Sequence, residues 1–390
     1  MSATPARIYL DHNATSPLRP ESRRAMRESE ELATGNPSAM HAEGRAARAV
    51  VEAAREQVAA LAAVPANEVV FTSGGSEAIA AAVRGVCDRA PSDRRRIVVS
   101  TVEHSAVLEA VAAAERAGFE VVRVACDHEG RVEVAPFIAA VRDGTALAAL
   151  QWANNETGVL QPVEEVGRAV RAAGAAFFVD AVQAAGRVPI DPRRVCADLL
   201  AISGHKLGGP PGTGALVIRD GIGLAPLIGG GAQERRRRGG TQSATALAGF
   251  GAAARAALAR LGAEAERLLR LRARLETRLR RRFPEIRIHG ETALRLPNTV
   301  NFALAGLAGD VLVIALDLAG VAASTGSACS SGAVEPSHVI RAMGHGEAEA
   351  RGAVRLSLGW STTAEDVDRL LELLPAVVDQ ARLGDSATRC

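Results

Sequence analysis

The chain has 390 residues, 48% of them hydrophobic and only 3% aromatic, and its 46 Lys+Arg nearly balance 44 Asp+Glu for a net charge of +2. That balance gives no field of the kind that recruits nucleic acid, and the composition is that of a soluble globular protein too long for one ordinary core. The most apolar stretch, Val311 to Ala323, is interrupted by Asp317 and falls short of the ~18 apolar residues of a membrane span, so neither a membrane nor a nucleic-acid partner is expected.

Seven residues precede the first strand-like stretch, Ile8 to Leu10, which leaves no room for a signal peptide and predicts a cytoplasmic protein. From about residue 69, β-branched apolar runs alternate with alanine-rich helical stretches. The runs are Val69 to Thr72, Ile97 to Ser100, Val121 to Val124, Leu147 to Trp152, Phe177 to Asp180, Leu199 to Ser203 and Ala215 to Arg219. The alternation reads as βα units forming a mostly parallel sheet with helices on both faces, an α/β fold whose functional groups gather in the loops after the strands. A Gly- and Arg-rich connection follows Gly231, then one long helical stretch from about Thr245 to Arg282. Beyond Pro284, short strand-like runs (Ile286 to Ile288, Thr299 to Leu304, Val354 to Leu358) interleave with helical ones (Gly309 to Leu318, Glu365 to Ala376). This predicts a large domain over residues 16–260 and a smaller α/β domain built from residues 1–15 and 261–390.

The basic runs Arg94 to Arg96, Arg235 to Arg238 and Arg280 to Arg282 read first as solvated faces. Five cysteines, an odd number with no CxxC pair, argue against a disulfide framework and a zinc site. Eight histidines show no HxxxH pair on a predicted helix, so no metal is expected.

Among the 46 basic residues there is a single lysine, Lys206. Arginine replaces lysine in most solvated roles, but its guanidinium cannot be deprotonated and so cannot form an imine with an aldehyde. Lys206 lies in SGHKLGGPPGTG, after the strand Leu199 to Ser203. The GPPGTG part imitates a P-loop, yet Ala215 and Leu216 stand where a P-loop needs Lys and Ser/Thr, and a strand follows instead of a helix. An aldehyde cofactor needs an imine-forming lysine, a carboxylate to keep a pyridine nitrogen protonated, and donors for a phosphate. Asp180 closes a buried-looking strand and calls for a cationic partner, although a helix N-cap would also explain it. Gln183, three residues on, can bond a phenolic oxygen. In FTSGGSEA, Gly75 and Ser76 open a helix with anion-binding N–H groups and a hydroxyl, and Ser203 and His205 flank the lysine. His104, just past the strand Ile97 to Ser100, can stack on a pyridine ring and shuttle protons, or serve as an ordinary loop residue.

Ten ordered segments over residues 8–370 closely resemble the cysteine desulfurases of the class V aminotransferase family. They are YLDHNATSP, GNPSAMHAEGR, FTSGGSEA, EHSAV, NNETG, DAVQ, SGHKLGGPPGTG, GGGAQERRRRGGT, STGSACSSG and RLSLG. The resemblance implies a pyridoxal 5′-phosphate (PLP) enzyme of transferase fold type I with a seven-stranded sheet. It makes Lys206 the Schiff-base lysine, Asp180 the pyridinium partner, Gln183 the phenolate partner and His104 the stacking residue. Ser76, Ser203, His205 and the Gly75 backbone would bind the phosphate, joined by Thr241 from the second subunit of a homodimer. Part of Arg235 to Arg238 would then line a dimer-spanning site. Asn155 would contact the cofactor and, with Arg355, hold the carboxylate of an L-cysteine substrate. Cys329, in a stretch of small residues that reads as a mobile exposed loop, would be the thiolate that takes the sulfur. The continuation to EPSHVIRAMG resembles the long-loop subgroup, whose cysteine delivers sulfur to an acceptor protein, such as an iron–sulfur scaffold or a thiolation relay.

Cys87, Cys126 and Cys196 read as structural and Cys390 as incidental. His12, GGS, Gln242 and Trp360 depart from the common pattern without touching this chemistry. The nearest rivals are a selenocysteine lyase or another class V transaminase, separable by turnover of cysteine, selenocysteine and alanine. A non-catalytic sulfur relay would require a broken site, whereas Lys206, Asp180, His104, Cys329 and Arg355 are all present.

Overall fold

The computed structural model describes residues 7–325 and 335–388; Cys329 and Cys390 lie outside the described residues. The strands, in chain order, are β1 (Ile8–Tyr9), β2 (Val69–Thr72), β3 (Arg96–Ser100), β4 (Glu120–Val124), β5 (Thr145–Gln151), β6 (Ala176–Asp180), β7 (Leu199–Ser203), β8 (Gly214–Ile218), β9 (Arg287–Ile288), β10 (Thr299–Ala303), β11 (Val321–Ala322) and β12 (Val354–Ser357). The seven expected runs are β2 to β8, and they form one sheet in the order β2-β8-β7-β6-β5-β3-β4. Only β8 runs against its neighbours; the remaining pairs are parallel.

Burial explains why these runs lack a polar alternation. Phe177 and Val179 of β6 pack into one apolar cluster and Phe178 into another on the opposite face. β7 divides in the same way, with Leu200 and Ile202 on one side and Leu199 and Ala201 on the other. A sheet covered on both faces needs apolar residues at every position, and each such side chain contributes about 1.5–3 kcal/mol. Arg96 is the exception to the expected solvated basic run. It is buried on β3 and ion-paired to Glu120 at 2.7 Å, because its position is fixed by the sheet rather than by its charge.

The long helical stretch is in fact two helices, Ala244–Ala259 and Leu261–Arg282, separated at Arg260 (φ −111°, ψ 6°). The two halves bury different faces into different cores. The first is apolar nearly all round and lies against the helix Ala42–Leu61, where an added Cβ on Gly251 would stand 2.7 Å from the Ala54 backbone. The second carries only a stripe, Leu268, Leu271, Leu275 and Leu279. That stripe joins Ile8, Leu10 and residues of β10, β12 and the helices Gly309–Leu318 and Ala364–Thr388 in a separate cluster. β1 pairs in parallel with β11, which brings the first strand into this cluster. Val339, Ile340 and Met343, by contrast, pack with Val132 and Phe137 on the large sheet's side.

The register places the site. Gln151 pairs with Asp180, Asp180 with Ala201, Ser203 with Gly214, and Gly214 with Thr72. The carboxyl ends of β2, β5, β6 and β7 therefore share one edge of the sheet.

Candidate active site

Lys206 ends a single 3-10 turn, Gly204–Lys206, straight after β7. The turn is tight, since a Cβ on Gly204 would lie 2.2 Å from the Thr213 hydroxyl. The segment Asn13–Ser16 wraps the lysine. Nζ donates to the carbonyls of Asn13 (2.5 Å) and Ala14 (2.7 Å), the Ser16 hydroxyl donates to the Lys206 carbonyl (3.2 Å), and the Thr15 hydroxyl meets His205 Nδ1 (3.1 Å). Burial, then the positive charges of Arg355 and Arg187, bring the Lys206 amine down to about 7 against the opposing pull of Asp11 and Asp180. An amine poised there is half deprotonated in neutral water, the state an imine requires.

Asp180 is buried at the end of β6 and has no ion-pair partner among the described residues. Its Oδ1 accepts from the Val182 N–H at 2.9 Å, so the cap reading holds to that extent, although turns rather than a helix follow. Burial pushes its carboxyl up to about 6, with Val182 and Lys206 pulling the other way. A cation against it would return it to the ionised state, as a protonated pyridine nitrogen would. Gln183 donates from Nε2 to the Asn13 carbonyl at 3.0 Å, the same oxygen that receives Lys206.

His104 is the N-cap of the helix Ser105–Arg116. Its Nδ1 accepts from the Ala106 N–H at 3.1 Å, which leaves the proton on Nε2. Burial, then Lys206, His338 and Arg355, push it down to about 4, so it is neutral at physiological pH. One nitrogen of this histidine caps a helix, and the other remains a donor.

The candidate phosphate cradle leaves one hydroxyl without a partner. Ser203 Oγ is buried without a hydrogen-bond partner, and a Cβ on Gly75 would stand 3.8 Å from it and 2.9 Å from Val182. Gly75 begins the helix Gly75–Cys87 and Ser76, exposed, follows it. An unpartnered hydroxyl facing a helix N-terminus with room for no side chain fits a phosphate. His205, partly buried beside Lys206, is held neutral by burial, with a value of about 4. The donor set, Asp180 and the lone lysine together fit PLP. Thr241 is not drawn into this group within one chain; it is exposed ahead of the helix Ala244–Ala259.

Arg355, on β12, is buried. Nη2 meets Asp11 Oδ1 at 2.8 Å, Nη1 donates to the Asn155 carbonyl at 3.0 Å, and Nε is buried without a partner. Asn155 keeps a buried, unpartnered Oδ1 as well. The fork thus has an unfilled edge for a carboxylate next to an unfilled amide. The backbone of Arg355 also holds the start of the Cys329 segment, since Ser324 N–H donates to the Arg355 carbonyl (3.2 Å) and Arg355 N–H to the Ser324 carbonyl (2.6 Å). On the far side, the Ser337 hydroxyl donates to buried Glu156 and His338 Nε2 to the Glu103 carbonyl at 3.0 Å.

Four residues that composition and spacing did not single out support the site. Asn13 bridges Lys206, Gln183 and the Asn155 carbonyl. Arg187 donates to Gln183. Glu103, next to His104 in the chain, is buried against Ser100 and the Gln151 N–H, its carboxyl pushed up to about 8 by burial. Glu234 is buried against Arg55. The NATS segment at 13–16 was the available signal for the first. Arg187 follows Gln183 by four residues, whereas Glu234 takes its role from Arg55, 179 positions away. The four arginines also separate: Arg238 pairs with Glu77 of the phosphate helix at 2.9 Å, Arg237 donates to the Asn67 carbonyl at 2.8 Å, and Arg235 and Arg236 are exposed. Cys87 and Cys196 are buried, as expected of structural cysteines, and burial pushes the thiols of Cys87 and Cys126 up to about 11. His12, one of the departures, sits buried between Ser16 and Ser361.

Comparison with known proteins gives the same picture. The family model described as "Aminotransferase class-V" matches residues 8–370. A cysteine desulfurase of Cereibacter sphaeroides is 46% identical over 378 residues, which is 96% of this chain and 97% of that protein. The cysteine desulfurase IscS of Dictyoglomus turgidum is 39% identical over 96% of this chain and 95% of its own. Among solved structures, a NifS-like protein superposes with a TM-score of 0.89 at 33% identity, covering 96% of this chain and 99% of that one. SspA in complex with cysteine superposes at 0.80 with 30% identity, over 90% of this chain and 98% of that one.

Proposed function

The chain belongs to the aminotransferase class-V family and is a PLP-dependent cysteine desulfurase, and on that premise we propose that Cys329 takes the sulfur and that the residues around Lys206 prepare it. L-cysteine and the Cys329 thiol give L-alanine and a Cys329 persulfide. The C–S bond of the substrate breaks, an S–S bond forms, and the two protons needed come from the substrate α-carbon and the enzyme thiol, so no external oxidant or reductant enters.

When bound, PLP supplies a protonated pyridine ring that takes up the electrons released at the substrate α-carbon. Asp180 holds that ring nitrogen charged, Gln183 donates to the phenolic oxygen, and Gly75, Ser76, Ser203 and His205 hold the phosphate. Arg355 and Asn155 orient the substrate carboxylate. Lys206, with an amine near neutrality, bonds the cofactor and is the base for the α-proton. His104, neutral and carrying its proton on Nε2, would stack on the ring and donate that proton toward the substrate β-carbon, which keeps the electron pair of the broken C–S bond.

The pairing of Ser324 with Arg355 carries the assignment of Cys329. It fixes the segment's origin at the carboxylate clamp, and the five residues to Cys329 span at most about 17 Å, enough to bring a thiol to a bound cysteine. The sulfur then passes to an acceptor protein, of which an iron–sulfur scaffold is the one suggested by relatives that carry the IscS name. We further assign a cytoplasmic homodimer in which Thr241 reaches the phosphate of the other subunit; no described helix is long and apolar enough to cross a membrane. Cys329→Ala is the test. It should retain the visible absorbance of bound PLP and lose persulfide formation and sulfide release under physiological reductant, whereas undiminished release would refute the role of Cys329.

A further inference from the structure

Away from Lys206, three side chains converge without settling each other's hydrogen bonds. His289 follows β9 and is almost wholly buried, with 1% of its surface exposed. Its Nε2 lies 2.9 Å from Glu349 Oε1, and His345 Nδ1 lies 3.3 Å from the same oxygen. The two imidazole rings meet edge to face with centroids 5.0 Å apart.

The network around His289 determines where its proton sits. The Asn301 amide donates from Nδ2 to the Glu156 carbonyl at 3.3 Å, so its Oδ1 faces His289 Nδ1, 2.6 Å away. That nitrogen must donate. In a neutral ring, Nε2 is then a lone pair aimed at a carboxylate oxygen, two acceptors facing one another. An imidazolium would cure this only by placing a charge where 1% of the residue meets solvent. His345 is unsatisfied as well, since its Nε2 is buried with no partner. Arg287 Nε, from a largely exposed side chain, reaches Glu349 Oε1 at 3.2 Å and is the competing cation at this oxygen.

We propose that His289, His345 and Glu349 bind a divalent transition-metal ion with the chemistry of zinc. Two imidazole nitrogens and a carboxylate oxygen are the ligands that ion prefers, and a tetrahedral zinc separates its ligand atoms by about 3.3 Å, close to the 2.9 and 3.3 Å found here. The Nδ1–H of His289 on Asn301 is the outer hydrogen bond that metal-bound histidines carry. The ion would replace Arg287 at Oε1 and link β9 to the helix Glu347–Gly352, which leads directly into β12 and Arg355. His345 and Glu349 are four residues apart, but His289 comes from 56 positions earlier, so histidine spacing along the chain does not disclose the set.

The proposal is independent of the sulfur-transfer reading, and its test avoids the Cys329 thiol. The holoenzyme carrying Cys329→Ser is dialysed against a chelator and titrated with zinc against a chromophoric competitor, with the PLP absorbance monitoring the fold. We expect one tight equivalent of zinc per chain and a melting midpoint that zinc raises. His289→Ala and Glu349→Gln should each weaken that equivalent about tenfold or more and abolish the shift, while His41→Ala, an exposed histidine elsewhere, should change neither. Should His289→Ala lose its cofactor band, the partly exposed His345→Gln provides the same reading. Equal zinc affinity in parent and variants, or no stoichiometric zinc in the parent, would overturn the site.

Discussion

Arg187 donates from one nitrogen, Nη1, to both the side-chain oxygen of Gln183 (2.8 Å) and its backbone carbonyl (2.7 Å). This fixes which end of the Gln183 amide faces Asn13 and Lys206. Arg187 is buried and also lies among the positive charges that depress Lys206. Arg187→Met keeps the length and removes both effects. The amide loses the donor that orients it, a charged hydrogen bond contributing about 1.5–3 kcal/mol, so PLP should bind about tenfold or more weakly. Removing a nearby positive charge makes Lys206 easier to protonate, and the rise of activity with pH should move to higher pH. An unchanged pH profile would show that Arg187 is only packing.

The Lys206 amine itself supplies a second prediction. With its value brought down to about 7 from the usual 10.5, the fraction able to attack an aldehyde should reach half near neutrality. In cofactor-free protein mixed with PLP, the rate of growth of the imine absorbance should therefore rise with a midpoint near pH 7. A midpoint above pH 9 would mean that burial and Arg355 do not act on the amine as placed. The same depression has a linkage consequence. Between pH 7 and 10.5 the unfolded chain binds the Lys206 proton and the folded one does not, so this residue makes the apoprotein more stable as pH rises through that window.

Most of the candidate site was legible in the sequence because the fold collects strand ends. Asp180, Ser203 and Lys206 each follow a β-branched run, and a parallel sheet brings such positions to one edge whatever lies between them. The supporting residues were not legible. Asn13 lies in the NATS segment but acts through a backbone carbonyl 193 positions from Lys206, and Arg187, four residues after Gln183, acts through a guanidinium whose burial the sequence does not show. The break at Arg260 was missed for a related reason, since helical periodicity continues across it while the buried face passes to another core. Arg96 reads as part of a charge run because sequence shows the run and not the strand that buries it.

Ser203 separates cofactor binding from folding. In the cofactor-free chain its Oγ is buried with no partner, so Ser203→Ala removes an unsatisfied group and should leave the apoprotein as stable as before or slightly more so. PLP affinity should fall by about tenfold, one hydrogen bond to a charged phosphate. Equilibrium dialysis of PLP and the melting of apoprotein, measured on the same variant, check the two halves. A large loss of apoprotein stability with unchanged affinity would assign this serine to packing.

Glu234 is the counterpart, a residue whose first effect is on folding. Its buried carboxylate receives Arg55 through both terminal nitrogens (2.6 and 2.9 Å), Gln242 (2.9 Å) and the Phe71 N–H (3.0 Å). It anchors a turn in which Glu234, Arg235 and Arg236 all have left-handed backbones, φ 46°, 56° and 65°. Such positions are costly for residues with a Cβ and persist only where something holds them. Glu234→Ala leaves the buried Arg55 guanidinium with only Glu52 and the Val69 carbonyl as partners and should cost about 1.5–3 kcal/mol in chemical denaturation. Arg235→Gly, which relaxes the backbone without touching the ion pair, should instead stabilise by about 1 kcal/mol. Burial tends to raise the Glu234 carboxyl, but Arg55 and Gln242 bring it below its ordinary value. Its contribution is therefore present above about pH 4.5 and lost as pH falls through the lower folded-state value, and Glu234→Gln should flatten that part of the acid denaturation curve. Since Arg238, four residues on, pairs with Glu77, which in turn accepts from the Ser73 N–H two residues before Gly75, Glu234→Ala should also loosen the proposed phosphate cradle. PLP should then bind more weakly to Glu234→Ala and unchanged to Arg235→Gly; equal loss in both would show that the turn's conformation, rather than its anchor, supports the site.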